Sequence, residues 1–305
     1  MDVPKLHTLA TRLARPVVYA TRSRSRLFVR DHLRKWCADR ELPVDTAYGF
    51  RMLVSPRDYI SYGIFFFGDY DPRMSDALCR FLEPCQTCWD IGTERGWFTL
   101  LMAERVGSRG RVRAFEALPD NVERLRANIA LNGFDHAVIH AAAVSGAPGT
   151  VHFEPPSRGA APEAHLEHCG GVGFITREPT DRAIDVSAVT LDGVADETGT
   201  AELHMLKMDI EGAEVAALRG GAATIEKFRP MIAVEYNRAT LQRAGTSMDE
   251  LDETLAGLGY DRLFCRADGT FRRVDIKESA DKPDHLAVFN VYAFHRDDPR
   301  KPVVS

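Results

Sequence analysis

Hydrophobic and polar positions alternate most clearly in the middle of the chain. Short apolar runs at 87–91, 111–116 and 137–141 are separated by segments of helical spacing at 97–106 and 119–131. Runs of that length bounded by glycine, proline or polar residues read as buried strands. Pro119 suits a first helical turn, and Asn132-Gly133 suits a helix end. Strand and helix in alternation predict an α/β fold with a mostly parallel sheet. Beyond this block, strands are predicted at 186–191, 202–209, 230–236, 260–265 and 286–294, with helices at 212–219 and 248–258. Thr150 to Phe153 reads as a small edge strand.

The flanks are less regular. Residues 1–40 carry a local excess of Arg and Lys, with a partly amphipathic helix expected over 25–38. This reads first as a docked helical extension, with an anionic or membrane surface as the less favoured partner. An aromatic block follows from Tyr48 to Tyr70, containing a short strand at Phe50–Val54, a turn at Pro56-Arg57-Asp58 and a helix at Ile60–Phe67. Another helix is expected from Met74 to Leu82. Prolines and glycines break residues 155–180, so they read as an irregular insertion that shapes or covers a pocket. His165, His168 and Cys169 lie there without the spacing of a standard zinc site. The expected organisation is an extension and cap over 1–82, a main domain over 83–295 and a flexible tail over 296–305.

Composition narrows the classes. A chain of 305 residues can bury a substantial core. Its net charge of -5 argues against a general nucleic-acid binder, which carries a basic field. No apolar run reaches the roughly 18 residues that span a bilayer, and the start lacks a signal-peptide pattern. Six cysteines, including Cys85 and Cys88 at CxxC spacing, read as ordinary thiols in a reducing cytoplasm.

Candidate chemistry gathers in three places. Asp90-Ile-Gly-Thr-Glu-Arg-Gly-Trp-Phe-Thr99 reads as strand end, glycine loop and helix start. Gly92 and Gly96 leave the backbone open to a ligand. The spacing is not GxGxxG, and Glu94 sits poorly beside a pyrophosphate. A cofactor without phosphate fits better, and S-adenosylmethionine is one. Glu116, at the end of the next strand, is then a candidate for the ribose hydroxyls. The third place is Leu206-Lys-Met-Asp-Ile-Glu-Gly-Ala-Glu214.

These segments together resemble the FkbM-type methyltransferases, which use S-adenosylmethionine. Asp90, Gly92, Gly96 and Thr99 match the family's first motif, DxGANxGxxT, with Thr93 and Glu94 standing where Ala and Asn are usual. Phe115-Glu116-Ala-Leu-Pro119 and Asn121 resemble the ribose-binding segment, and Leu206–Glu214 the most distinctive motif. Gly68-Asp-Tyr70-Asp71 is similar to an upstream G-x-Y-E segment. The resemblance spans about residues 50–294. It implies a Rossmann-like methyltransferase fold, with a mostly parallel seven-stranded sheet whose last strand is antiparallel. It also implies O-methylation of a hydroxyl on a small natural product or a glycan- or carrier-linked acceptor. The cofactor would be held by Asp90, Gly92, Thr93, Gly96, Thr99, Glu116, Asn121 and Asp209. A nicotinamide-dependent oxidoreductase and a non-catalytic scaffold retaining the fold are the alternatives.

At the reaction centre, Asp209 and Glu211 are candidate general bases, with Lys207 to orient them or offset their repulsion. Glu214 reads as a structural acid in a first helical turn. Asp209, Glu235 and Asn237 are a candidate oxygen ligand set for Mg2+ at adjacent strand ends. Metal-free base catalysis, metal-assisted catalysis and a structural acid cluster all stay open. His204 reads as core. Neither the oligomeric state nor the acceptor is legible.

Overall fold

A computed structural model describes residues 41–55, 59–156, 173–276, 283 and 287–304. The basic extension, the turn at 56–58, the histidine-bearing part of the insertion and Leu286 lie outside the described residues.

The chain opens with an antiparallel hairpin of β1 (Leu42–Asp45) and β2 (Arg51–Val54). The main strands follow as β3 (Thr87–Ile91), β4 (Arg111–Phe115) and β5 (Ala137–His140). A second group comprises β6 (Ala143–Val144), β7 (Gly149–Glu154), β8 (Phe174–Thr176) and β9 (Ile184–Val189). The chain then completes the main sheet with β10 (Met205–Met208), β11 (Met231–Asn237), β12 (Tyr260–Cys265), β13 (Phe271–Arg273) and β14 (Val288–His295).

The main sheet has the order β13-β12-β14-β11-β10-β3-β4-β5. The run from β11 to β5 is parallel, and β14 is antiparallel to β11. Chain order reverses between β3 and β10, the point at which open α/β sheets bind ligands beyond their carboxyl strand ends. The expected antiparallel last strand is present, and the mixed sheet resembles the Rossmann-like methyltransferase fold.

Alternating side chains split the core between the two sheet faces. Cys88, Met205, Met231 and Ala233 pack with Leu100, Leu101 and Leu78 on one face. Trp89, Leu206, Ile232 and Val234 pack with Leu218 and Leu251 on the other. Val44, Phe50, Met52 and Ile64 belong to the first core, so the described part of the aromatic block shares its packing. Asparagines at i and i+4 of the helix Pro119–Asn132 fasten the hairpin edge. Asn132 accepts from Arg51 N at 2.7 Å, and Asn128 accepts from Leu53 N at 2.8 Å. These amides take the place of a neighbouring strand.

Several expectations are corrected. Among the described residues the sheet has eight strands rather than seven, because β13 lies between the strands expected at 260–265 and 286–294. Phe271 is buried while Arg272 and Arg273 are not, and two adjacent charges conceal so short a strand. The expected edge strand at 150–153 is β7 of a separate four-stranded sheet. The helix expected from Met74 starts at Pro72, because Asp71 accepts from Met74 N and Pro72 needs no donor. Residues 296–304, expected to be loose, are tied down. Lys301 Nζ lies 2.9 Å from Asp261, Arg300 donates to His204 O at 3.3 Å, and Val304 bridges to Phe271.

Candidate functional site

The register of the parallel strands assembles the centre. Asp90, Lys207 and Ala233 are successive partners on β3, β10 and β11. Glu235, two residues beyond Ala233, is the partner of Asn290 on β14. Period-two alternation puts these side chains on the same face at the carboxyl ends of the strands.

The glycine loop is pinned from both sides. Gly92 N and Thr93 N donate to Phe115 O at 3.0 and 3.2 Å. Gly92 has φ +78°, and a Cβ there would stand 1.9 Å from Asp209 O. Only glycine permits that approach between the loop and the end of β10. Gly96, at φ +94°, starts the helix Trp97–Val106, and a Cβ on it would meet Leu125 at 2.3 Å. Glu94 also takes a left-handed conformation, with φ 51°. Its N–H donates to Glu116 Oε2 at 2.8 Å, while Leu118 N donates to Oε1 at 2.8 Å. The departure from the family pattern at Glu94 thus leaves a backbone contact in place.

Glu116 is 6% exposed. Burial raises its pKa, opposed by the backbone donors of Leu118 and Glu94 and by the Asn121 side chain. Both carboxylate oxygens are thus fixed by backbone donors just past the end of β4. Thr93 Oγ1 is buried in this loop and has no hydrogen-bond partner among the described residues. A strand-end carboxylate and an unsatisfied hydroxyl at the glycine loop fit the polar groups of S-adenosylmethionine.

Lys207 is 3% exposed. Its ammonium donates to Gly92 O at 3.0 Å and lies 3.5 Å from Asp90 and 3.8 Å from Asp209. Burial alone would lower its pKa, but Asp90 and Asp209 hold it above the ordinary value, so it is a cation. Thr99 Oγ1 donates to Asp90 Oδ2 at 2.6 Å and is fully buried. Lys207 and Thr99 therefore brace the loop and its acid from below rather than face the cleft. Asp209 is different: its side chain is 39% exposed.

β10 ends at Met208, and the chain turns sharply before the helix Glu214–Arg219. Glu211 has φ 57° and Gly212 has φ +110°, where a Cβ would lie 2.3 Å from Thr240 O. A non-glycine residue in this region carries about 1–3 kcal/mol of strain. Arg243 holds it there, donating to Glu211 O at 3.0 Å and Oε2 at 3.4 Å. The same guanidinium lies 3.7 Å from the centre of the Phe174 ring on β8. Burial and the neighbouring Asp209 raise Glu211 to about 6. Glu214 accepts from Ile210 N at 3.0 Å, and burial raises it to about 7. Burial, then Asp209 and Glu211, push Glu235 well above the usual carboxylate range.

Tyr70, at the mouth, is 39% exposed, and its phenol is raised by burial, then by Glu94 and Asp209. Its ring lies 6.5 Å from Phe98, over which Lys207 Nζ sits at 5.3 Å.

The candidate magnesium set does not fit as arranged. Asn237 caps the helix Arg238–Arg243 by accepting from Thr240 N, and its amide nitrogen faces Glu235 Oε2 at 3.1 Å. Its oxygen is thus engaged and its donor side is turned to the carboxylate. Among the described residues, no group of three or more His, Cys, Asp or Glu is placed to hold a metal ion. Cys85 and Cys88 are free thiols, and Cys88 is fully buried. His204 accepts from Thr87 N at 3.1 Å, at the opposite end of β10 from Asp209.

Three functional supports escape a reading of the sequence. Asn128 joins the hairpin to the cofactor loop, donating to Arg95 O at 3.0 Å. Arg243 holds Glu211, and Asn290 lies beside Glu235. Only Asn290 had a usable signal, since it falls within a strand correctly placed antiparallel to β11.

A family model described as the methyltransferase FkbM domain matches residues 90–262. Comparison with curated proteins finds no significant sequence match. Among solved structures, a methyltransferase FkbM from Methylobacillus flagellatus is 16% identical with a TM-score of 0.40, and the match covers 68% of this chain. This chain spans 43% of that protein's length. A SAM-dependent O-methyltransferase from Thermotoga maritima is 12% identical with a TM-score of 0.39, covering 84% of this chain and 77% of that one. Aeropyrum pernix fibrillarin with bound S-adenosyl-L-methionine is 10% identical with a TM-score of 0.39, covering 72% of this chain and 73% of that one.

Proposed function

We propose a reaction from one premise: the chain belongs to the methyltransferase FkbM family. The reaction is S-adenosylmethionine-dependent O-methylation of a hydroxyl on a small natural product or a glycan- or carrier-linked acceptor. The observation that carries it is Asp209, a part-exposed carboxylate braced by the buried Lys207 that also grips the glycine loop.

When bound, the cofactor supplies an electrophilic methyl group on a sulfonium. Glu116 would accept from the ribose hydroxyls, beside a loop that Gly92 and Gly96 let pack tightly against Asp209 and Leu125. Asn121 holds the Glu116 carboxylate, and the Thr93 hydroxyl gains a partner. Asp90 and Thr99 keep the loop in place from beneath.

Asp209 takes the proton of the acceptor hydroxyl onto a carboxylate oxygen. Lys207 keeps that carboxylate oriented, and its charge offsets the crowd of acids. Glu235, whose pKa burial and then Asp209 raise, adds a second carboxyl group at the neighbouring strand end. Glu211 is the second candidate base, held by Arg243. No step passes through a metal. The proposal includes a cytoplasmic setting; among the described residues, no helix is long and apolar enough to cross a membrane.

The test is a labelled-methyl transfer screen over glycan, lipid-linked and polyketide hydroxyls, with products identified by mass spectrometry. Methyl label on an acceptor oxygen supports the reading. Saturable nicotinamide-cofactor binding without S-adenosylmethionine binding overturns it.

A further inference from the structure

Tyr70 is an exposed aromatic at the mouth of the cleft. Among the described residues, the other large apolar side chains left in solvent are Val138 and Val303. The chain is fastened on both sides of Tyr70. Asp69 Oδ2 accepts from Tyr48 Oη at 2.8 Å, and Gly68 O accepts from Ala47 N at 2.8 Å. Asp71 accepts from Met74 N at 3.0 Å and so caps the helix Pro72–Cys79. Phe98 backs the ring, 6.5 Å away and tilted by 60°. A ring on so fixed a backbone is preorganised, and a ligand meeting it loses little to ordering.

The ring stands among acids. Burial raises its phenol, and the charges of Glu94, Asp209, Asp71 and Glu235 raise it further, in that order. A side chain that stays 39% exposed while the protein desolvates its hydroxyl lines a concave site. Glu94 and Asp209 belong to the two segments that meet at the glycine loop. Glu94 N donates to Glu116 Oε2 at 2.8 Å, and Gly92 approaches Asp209 O so closely that no Cβ fits between them. The buried cation of the site, Lys207, sits over Phe98 at 5.3 Å.

We propose that Tyr70 is a cofactor contact: its ring face takes the sulfonium charge of S-adenosylmethionine and makes the site prefer that cofactor over neutral S-adenosylhomocysteine. The proposal rests on the methyltransferase reading and adds to it a residue and a selectivity. That reading sets the ribose at Glu116 and methyl transfer at Asp209. The sulfonium belongs between them, since its sulfur is bonded both to the ribose methylene and to the methyl that leaves. The acids acting on Tyr70 come from both ends of this span, Glu94 beside Glu116 and Asp209 at the other. A cation within about 6 Å of a tyrosine ring is attracted to its negative face. Carboxylates around the ring add to that pull and repel an anion. After transfer the sulfur is a neutral thioether, so the attraction ends and the spent cofactor leaves more readily. A ring serving only an apolar acceptor would gain nothing from the acids about it.

Titration calorimetry of the full-length chain with S-adenosylmethionine and, separately, with S-adenosylhomocysteine tests this. The quantity read is the ratio of the two dissociation constants, in the unmodified chain and in Tyr70→Leu, Tyr70→Met and Tyr70→Phe. Tyr70→Leu should move the ratio about five- to thirtyfold toward S-adenosylhomocysteine, by weakening S-adenosylmethionine alone. Tyr70→Phe keeps a ring face and should hold the ratio within about twofold of the unmodified chain. In Tyr70→Leu, equal loss of both ligands, or loss of neither, overturns the contact. A shift in Tyr70→Phe as large as in Tyr70→Leu also overturns it, because the hydroxyl rather than the ring then holds the ligand. If Tyr70→Leu fails to fold, Tyr70→Met is read by the same criteria. An unmodified chain that binds neither ligand sinks the methyltransferase reading itself, whereas binding of both with an unmoved ratio sinks only the contact of Tyr70.

Discussion

Lys207 Nζ donates to the carbonyl oxygen of Gly92 across the boundary between β10 and β3, at 3.0 Å. One buried cation therefore connects the cofactor loop, the loop's acid Asp90 and the exposed acid Asp209. Removing it leaves Asp90, which is fully buried, without its countercharge. Lys207→Met should destabilise the fold by about 3–5 kcal/mol, the cost of breaking a buried pair from one side. Urea unfolding measures it, and a change within error of zero would remove Lys207 from this role.

Glu116 joins the loop to the proposed ribose site. Glu116→Ala strips acceptors from the N–H groups of Glu94 and Leu118 as well as from the ligand. Its affinity for S-adenosylmethionine should fall by roughly tenfold to a hundredfold, since hydrogen bonds to charged groups contribute about 1.5–3 kcal/mol. Unchanged calorimetric affinity would take Glu116 out of the site.

Asp209 carries the proton in the proposed reaction. Asp209→Asn keeps the shape and loses the base, so kcat should drop by about 10²–10⁴-fold while cofactor affinity changes far less. Turnover at the unmodified level would reject the role and pass it to Glu211.

Glu214 makes stability depend on pH. Burial raises its folded-state value to about 7 from an ordinary 4.5. Between those values the folded chain retains a proton that the unfolded chain has lost. Stability from this group is thus complete below about 4.5 and declines as pH rises through about 7. Glu211, raised to about 6, acts in the same direction. Glu214→Gln preserves an acceptor for Ile210 N and removes the titration. At pH 8 this variant should be more stable than the unmodified chain by up to about 3 kcal/mol, with a flatter profile from pH 5 upward. Denaturant titrations over this range check it, and parallel profiles count against it.

The motifs were legible because each depends on local backbone chemistry. Gly92 and Gly96 mark a loop that only glycine can make, and Glu116 ends a strand whose limits were read to within a residue. The helices 97–106 and 119–132 were legible from their spacing and from Pro119. Short elements escaped, because three residues such as Phe271–Arg273 cannot display a period.

The sequence by itself determined the class of fold, the chain positions of the loop, the ribose acid and the acidic motif, and the family they indicate. These follow from neighbouring residues, whose spacing and side-chain chemistry are the same in any tertiary setting. Only the tertiary structure decided which acids face the cleft and which are consumed in holding it. Lys207 and Thr99 became internal braces, Asn237 became a helix cap, and Asp209 stayed exposed. Those assignments depend on strand register and on burial, through contacts such as that between Lys207 and Gly92, 115 residues apart in the chain.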